Sequence, residues 1–245
     1  MRLTDYSPLD RHEKVGLSYS GGKDSRACIQ LLRSCLDNIT IYHLDTGDLL
    51  SEMRDNVALV EAFAPRFVRI DTNVTEWIAA NGLPTDLMPY SHHPVGRLMG
   101  EAKRALSSRY DCCYANLMLP LYERMRDDGI TLLIRGTKRV DMPRLPVMSG
   151  GVEGGMELWL PVLDWTHQEV LDYLRSENVP LPRLYDHMLG SPDCARCSAW
   201  WSEGRAAYLK EYYPEVWADY DARLQVIIDA IAPSLARLRR EAGVT

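Results

Sequence analysis

Four of the six cysteines fall into two close pairs, Cys112-Cys113 and Cys194-x-x-Cys197, with eighty residues between Cys113 and Cys194. In a reducing compartment such paired spacings point to a metal or to catalysis rather than to a disulfide framework. On ligand count, four thiolates suit tetrahedral zinc and a cubane iron–sulfur cluster equally well. Neighbouring side chains on a helix diverge by about 100°, which is awkward around a single ion. A cluster offers separate iron atoms and accommodates the divergence, so Cys112, Cys113, Cys194 and Cys197 are expected to be metal ligands, with a cluster favoured over zinc. The other two, Cys28 and Cys35, lie seven apart in a helical pattern. They read as core residues, because a free thiol packs as a small hydrophobe.

A second constellation is Ser20-Gly21-Gly22-Lys23-Asp24-Ser25. Two glycines let backbone approach an anion, and a helix beginning there offers unpaired amides and a positive dipole. Lys23 adds a point charge, and the Ser20 and Ser25 hydroxyls are hydrogen-bond donors. Phosphate or sulfate is the group such a loop suits. It is not a Walker A loop, which needs four residues between its first glycine and Gly-Lys. Two further polar groups follow apolar runs: Asp45-Thr46-Gly47 and Arg135-Gly136-Thr137-Lys138-Arg139. With Arg144 the latter makes a local basic patch.

The elements that must position these groups are legible as an alternation. Strands are expected at 15–19, 39–44, 67–70, 131–134 and 157–162, and helices at 26–36, 50–63, 114–126 and 166–177. Strands alternating with helices at this spacing imply a doubly wound, mainly parallel sheet with crossover helices, an α/β fold. Ligands of such sheets bind outside the carboxyl ends of the strands, where the loop at 20–25, Asp45-Thr46-Gly47 and 135–139 would all lie. The mixed stretch 76–110, broken by Pro84, Pro89 and Pro94, is expected to act as a lid. Residues 149–155 read as a flexible turn, and 178–197 as loop. The tail from Trp200 is helical in composition, interrupted at Pro214 and Pro233. His92 and His93 are expected to line a loop. Trp200, Trp201 and Trp217 are expected to anchor the tail by packing.

The chain has 245 residues, 46% hydrophobic and 25% charged, which bounds it to one substantial core. One domain is expected over 1–245, with a core at 14–197 and a helical C-terminal extension at 198–245. A net charge of −6 argues against a surface that grips nucleic acid throughout. No apolar run reaches membrane-spanning length. The first residues lack the apolar core of a signal peptide, so a cytoplasmic address is expected.

Ser20 to Ser25 after a strand resembles the signature of the PP-loop superfamily, the adenine nucleotide α-hydrolases and their relatives. Leu44-Asp45-Thr46-Gly47 is similar to the form found in sulfate-assimilation members. The Cys-Cys, eighty-residue, Cys-x-x-Cys spacing resembles that of the 4Fe–4S adenylyl-sulfate reductases. Pro161 to Trp165, Glu169-Val170, Tyr173-Leu174, Pro180, Leu184-Tyr185-Asp186 and Gly190 also sit where that family has them. The resemblance covers about 14–197. It implies an adenine nucleotide at Ser20 to Ser25, Asp45, Thr46, Gly47 and Gly136, with Lys138 and Arg139 as phosphate or sulfate ligands. It also implies a 4Fe–4S cluster at the four cysteines.

Two positions differ from the reductase pattern. Asn116 and Leu117 stand where reductases carry Arg-Lys, a lysine that bridges substrate and cluster. Reductases also have a C-terminal Glu-Cys-Gly-Leu-His motif whose thiolate attacks the sulfate sulfur, and no cysteine follows Cys197 here. The resemblance therefore implies a sulfonucleotide reductase-like enzyme, acting on adenylyl sulfate or phosphoadenylyl sulfate, that takes its thiol from a thioredoxin-like partner. Its catalytic residues are not assigned. PP-loop relatives that cleave ATP to AMP offer a second expectation: a pyrophosphatase activating a tRNA, DNA or small-molecule acceptor for sulfur insertion. Asp24 and Asp45 would then hold magnesium. A non-catalytic nucleotide-binding redox sensor is a third. A homo-oligomer is compatible with all three, and a membrane partner with none.

Overall fold

The computed structural model describes residues 6–100, 106–141 and 147–244. Arg144 of the basic patch lies outside them. In chain order the strands are β1 Val15–Ser18, β2 Ile39–Asp45, β3 Phe67–Asp71, β4 Leu83–Thr85, β5 Leu106–Ser108, β6 Leu132–Ile134, β7 Val152–Glu153 and β8 Met156–Trp159. The α-helices are α1 Ser7–Asp10, α2 Lys23–Leu31, α3 Ser51–Phe63, α4 Val74–Asn81 and α5 Pro94–Leu98. They continue with α6 Arg109–Cys113, α7 Leu119–Asp127, α8 His167–Ser176, α9 Arg205–Tyr212 and α10 Pro214–Glu241. No helix among the described residues is long and apolar enough to cross a membrane.

The chain divides into two compact units. The first, Met1–Asp45 with Leu49–Asp71 and Leu119–Ser191, holds a six-stranded sheet in the order β3-β2-β1-β6-β8-β7. Every pairing is parallel except β7 with β8. This is the expected mainly parallel sheet, and its strand order reverses between β1 and β6. Successive strand residues face opposite sides, and both sides are filled. Leu17, Ile41, Leu132 and Ile134 join Ile29, Val170 and Leu174 on one face. Tyr42, Leu133 and Leu158 meet Met125 and Ile130 on the other. Burying each such side chain stabilises the fold by about 1.5–3 kcal/mol.

Helix α2 starts at Lys23 after the N-cap Gly22, earlier than the apolar pattern suggests, and yields to a 3-10 turn at Arg33–Asn38. Ser34, Asp37 and Asn38 favour local turns over a helix interior. Helix α8 is fixed by a capping box: the Thr166 hydroxyl accepts from Glu169 N at 3.2 Å, and Glu169 Oε2 accepts from Thr166 N at 2.7 Å. The turn expected at 149–155 contains the short strand β7, which forms a hairpin with β8.

The second unit comprises Thr46–Asp48, Thr72–Met118 and Pro192–Thr245. It carries the parallel β4–β5 ladder, helices α4 to α6, a π-helical turn at Tyr114–Met118, and the tail helices α9 and α10. Pro214 begins α10, as its preference for a first helical turn predicts. Pro233 does not interrupt the helix; α10 runs through it to Glu241. The carbonyl that loses its donor belongs to Asp229, which is exposed and open to water.

Candidate functional site

In the first unit the phosphate-type loop follows β1. Gly21 adopts φ +84°, a left-handed conformation that suits glycine. Its carbonyl accepts from Asn56 Nδ2 at 2.5 Å, which anchors the turn on α3. The Ser20 and Ser25 hydroxyls lie 3.3 Å apart, Gly22 N donates to Ser20 Oγ at 3.3 Å, and Ser25 Oγ donates to Gly22 O at 3.2 Å. Lys23 N donates to the buried Tyr185 hydroxyl at 2.7 Å. Gly136, after β6, lies flat against the start of α2. A Cβ there would come within 2.4 Å of Ser25 N and 2.5 Å of the Asp24 carbonyl carbon. Glycine at 136 is therefore a packing requirement of the loop.

Both lysines of the site are buried: Lys23 is 1% and Lys138 0% exposed. Lys23 Nζ donates to Asp24 at 3.0 and 3.1 Å and lies 3.2 Å from His167 Nδ1. Lys138 Nζ pairs with Asp24 Oδ1 at 2.8 Å and with Asp141 Oδ1 at 3.0 Å. Burial lowers the Lys23 pKa, which Asp24 partly offsets. Burial, then Lys23 and Lys138, lower that of His167. Arg139 points elsewhere, pairing with exposed Asp164 at 2.9 Å. Asp45, at the end of β2, stands 3.8 Å from Arg69.

The second unit assembles the thiols. Cys112, Cys113, Cys194 and Cys197 line one pocket with Asp48, Asn116, Leu117, Arg109 and Arg223. Cys194 Sγ donates to Thr46 Oγ1 at 3.4 Å, so the Asp45-Thr46-Gly47 tripeptide contributes Thr46 to the cysteine site. Asn116, in the π turn, donates to Cys112 O at 2.9 Å and reaches Cys112 Sγ at 3.9 Å. Burial, then Cys113 and Cys197, push the Cys112 thiol up to about 12. Burial raises Cys113 and Cys194 as well. Thiols held this way ionise together only if a cation compensates them. Four soft sulfurs fit an iron–sulfur cluster or zinc. Asp48, the carboxylate among the described lining residues, is committed to Arg196 at 2.6 Å.

The tail clamps this loop. Arg205 is 1% exposed, and its guanidinium donates to Cys197 O at 3.0 Å, Ala195 O at 2.8 Å and Trp200 O. It stacks on Tyr220 at 4.2 Å and Trp200 at 5.2 Å. Arg223 donates to Arg196 O at 3.0 Å. Trp217 packs edge-on against Tyr220 at 5.9 Å, whereas Trp201 is half exposed.

The structure therefore gathers Ser20, Gly21, Gly22, Lys23, Asp24, Ser25, Gly136 and Lys138 in one unit, and Thr46 and the four cysteines in the other. Arg139 is drawn away. Sequence reasoning missed Asp141, His167, Arg205 and Arg223. His167 meets Lys23 and Arg223 meets Arg196 across long stretches of chain. Asp141 and Arg205 have partners three to ten residues away, at spacings that carry no recognised motif.

The sequence profile of the phosphoadenosine phosphosulfate reductase domain matches residues 14–200. An uncharacterised protein of Methanocaldococcus jannaschii is 25% identical over 226 residues, 86% of this chain, which spans 48% of that protein. Adenosine 5'-phosphosulfate reductase of Allochromatium vinosum is 23% identical over 195 residues, 76% of this chain and 68% of that protein. Adenosine 5'-phosphosulfate reductase 2 of Bacillus subtilis is 24% identical over 193 residues, 76% of this chain and 73% of that protein.

Proposed function

This chain belongs to the phosphoadenosine phosphosulfate reductase domain family, and on that premise we propose that it is a sulfonucleotide reductase-type enzyme carrying a 4Fe–4S cluster. The observation that carries the reading is the convergence of four cysteines, eighty residues apart in sequence, on one pocket that also contains two arginines. Cys112, Cys113, Cys194 and Cys197 would hold the cluster. Bound there, it supplies an electrostatic and redox-active centre whose potential depends on nearby charge and hydrogen bonds. Asn116 and the Thr46 hydroxyl are placed to hydrogen-bond sulfur. Arg109 and Arg223 provide positive charge in the pocket where Leu117 replaces the lysine of related reductases.

The loop at Ser20 to Ser25 would bind the sulfate or phosphate group of an adenine nucleotide through backbone amides and hydroxyls. In the reaction a thiolate attacks the sulfate sulfur, the bond from sulfur to the AMP phosphate oxygen breaks, and AMP departs. A second thiol then releases sulfite and leaves a disulfide, so two thiols supply the two electrons. A dithiol protein of thioredoxin type is the reductant this chemistry requires.

One observation favours a second reading, AMP-forming cleavage of ATP: with Asn116 and Leu117 in these positions, no lysine lines the thiol pocket among the described residues. The two are separated by anaerobic turnover followed by phosphorus NMR for the nucleotides and a separate chemical assay for sulfite. With adenylyl sulfate and a dithiol reductant, AMP and sulfite should accumulate in equal amounts. AMP and pyrophosphate from magnesium ATP, without sulfite from adenylyl sulfate, would replace the first reading with the second.

A further inference from the structure

Lys23, Asp24, Lys138, Asp141 and His167 close a ring. Lys23 bonds Asp24, Asp24 bonds Lys138, Lys138 bonds Asp141, Asp141 lies 3.7 Å from His167 Nε2, and His167 Nδ1 returns to Lys23 at 3.2 Å. We propose that His167 is a positioning residue that completes this ring through its Nδ1 lone pair and so fixes the phosphate loop for the anionic group of the nucleotide. The proposal rests on the reading above that Ser20 to Ser25 receive that group.

An ammonium group has donors only, so His167 Nδ1 is the acceptor in its contact with Lys23. The imidazole proton therefore sits on Nε2, on the side of Asp141 Oδ1. Two independent features keep the ring neutral in this tautomer. Burial and the two lysines disfavour a second proton, and the first turn of α8, pinned by the Thr166 capping box, adds a positive dipole. With His167 uncharged, two ammonium groups balance two carboxylates.

The Asp24, Asp141 and His167 ligand atoms lie within 4.8 Å of one another, a grouping that by itself would suit a divalent ion. Here Lys23 and Lys138 already occupy the Asp24 and Asp141 oxygens at 2.8–3.1 Å. A divalent cation would have to enter against both ammonium charges. The ring is better suited to hold backbone. Lys23 and Asp24 open α2, and the segment carrying Lys138 and Asp141 follows Gly136, whose backbone lies against that same first turn. Gly136 keeps the two segments in contact, and the ring fixes them laterally. Without His167, buried Lys23 would lose one of its acceptors and the loop one of its anchors.

The experiment combines nitrogen NMR of the full chain with calorimetric titration of adenylyl sulfate. In the wild-type protein near neutral pH, His167 should show a protonated Nε2 and an accepting Nδ1. His167→Leu should weaken adenylyl sulfate binding by about tenfold, the scale of one lost hydrogen bond to a charged group. His167→Asn, whose carbonyl oxygen can take the place of Nδ1, should restore most of it. A doubly protonated or Nδ1-protonated ring in the wild type would overturn the proposal whether or not adenylyl sulfate binds. Equal loss in both variants, or loss in neither, would also overturn it. Absence of wild-type binding with the expected tautomer present would count against the nucleotide reading alone.

Discussion

His43, on β2, places Nδ1 2.9 Å from the Tyr19 carbonyl oxygen, while its Nε2 is buried without a hydrogen-bond partner among the described residues. Burial lowers its pKa, partly offset by the Tyr19 bond, below the model-peptide value of 6.5. Below that value the unfolded chain takes up a proton that the folded chain refuses. The stability tied to neutral His43 is therefore present above pH 6.5 and is lost as the pH falls toward the folded pKa. His167 shifts in the same direction and adds to the effect. Denaturant midpoints measured from neutral to mildly acidic pH should fall, and His43→Asn, which can still donate to Tyr19 O, should flatten part of that fall. An unchanged slope in the variant would remove His43 from the account. At the same scale, the charges of Lys23 and Lys138 were legible from their spacing, but their burial was not. It depends on the fold bringing Lys23 and Asp24 against the segment of Lys138 and Asp141 and against His167.

Among the elements, the parallel strands of the first unit were readable because buried parallel strands are short apolar runs bounded by polar turns, whereas the two-residue antiparallel β7 was read as a turn. The start of α2 was misplaced because Lys23, Asp24 and Ser25 look like loop residues, and only the anion-type turn makes them helical. The course of α10 through Pro233 was hidden for a different reason: proline disrupts a helix less where the freed carbonyl meets water. Close packing of the segment after β6 on α2 yields a sharp expectation. Gly136→Ala should destabilise the first unit by on the order of 2 kcal/mol through overpacking, read as a lower urea midpoint, and should weaken adenylyl sulfate binding. A variant with wild-type midpoint and affinity would show that the contact at Ser25 N relaxes freely. In the second unit, Arg205→Leu removes the bonds to three carbonyls of the cysteine loop. It should cost about 3 kcal/mol or more and release iron faster under a chelator. Iron retention equal to wild type would show that α9 does not brace the loop.

Over the whole molecule, each compact unit carries one chemical centre: the phosphate-type loop with its charged ring, and the thiol pocket with its arginines. The loop was legible as a motif because it is local. The thiol pocket was legible only through its spacing, since the eighty intervening residues had to fold back before the two pairs could meet. The supports from α9 and α10 were not legible at all, because an arginine in an amphipathic tail ordinarily reads as a solvated charge. The central claim is that the four cysteines hold a cluster, and the most direct test is iron and acid-labile sulfide analysis of anaerobically prepared chain beside its Cys194→Ser variant. The account predicts about four iron and four sulfide per wild-type chain, with the visible absorbance lost in the variant. One zinc per chain without sulfide, or no metal in either protein, would contradict it.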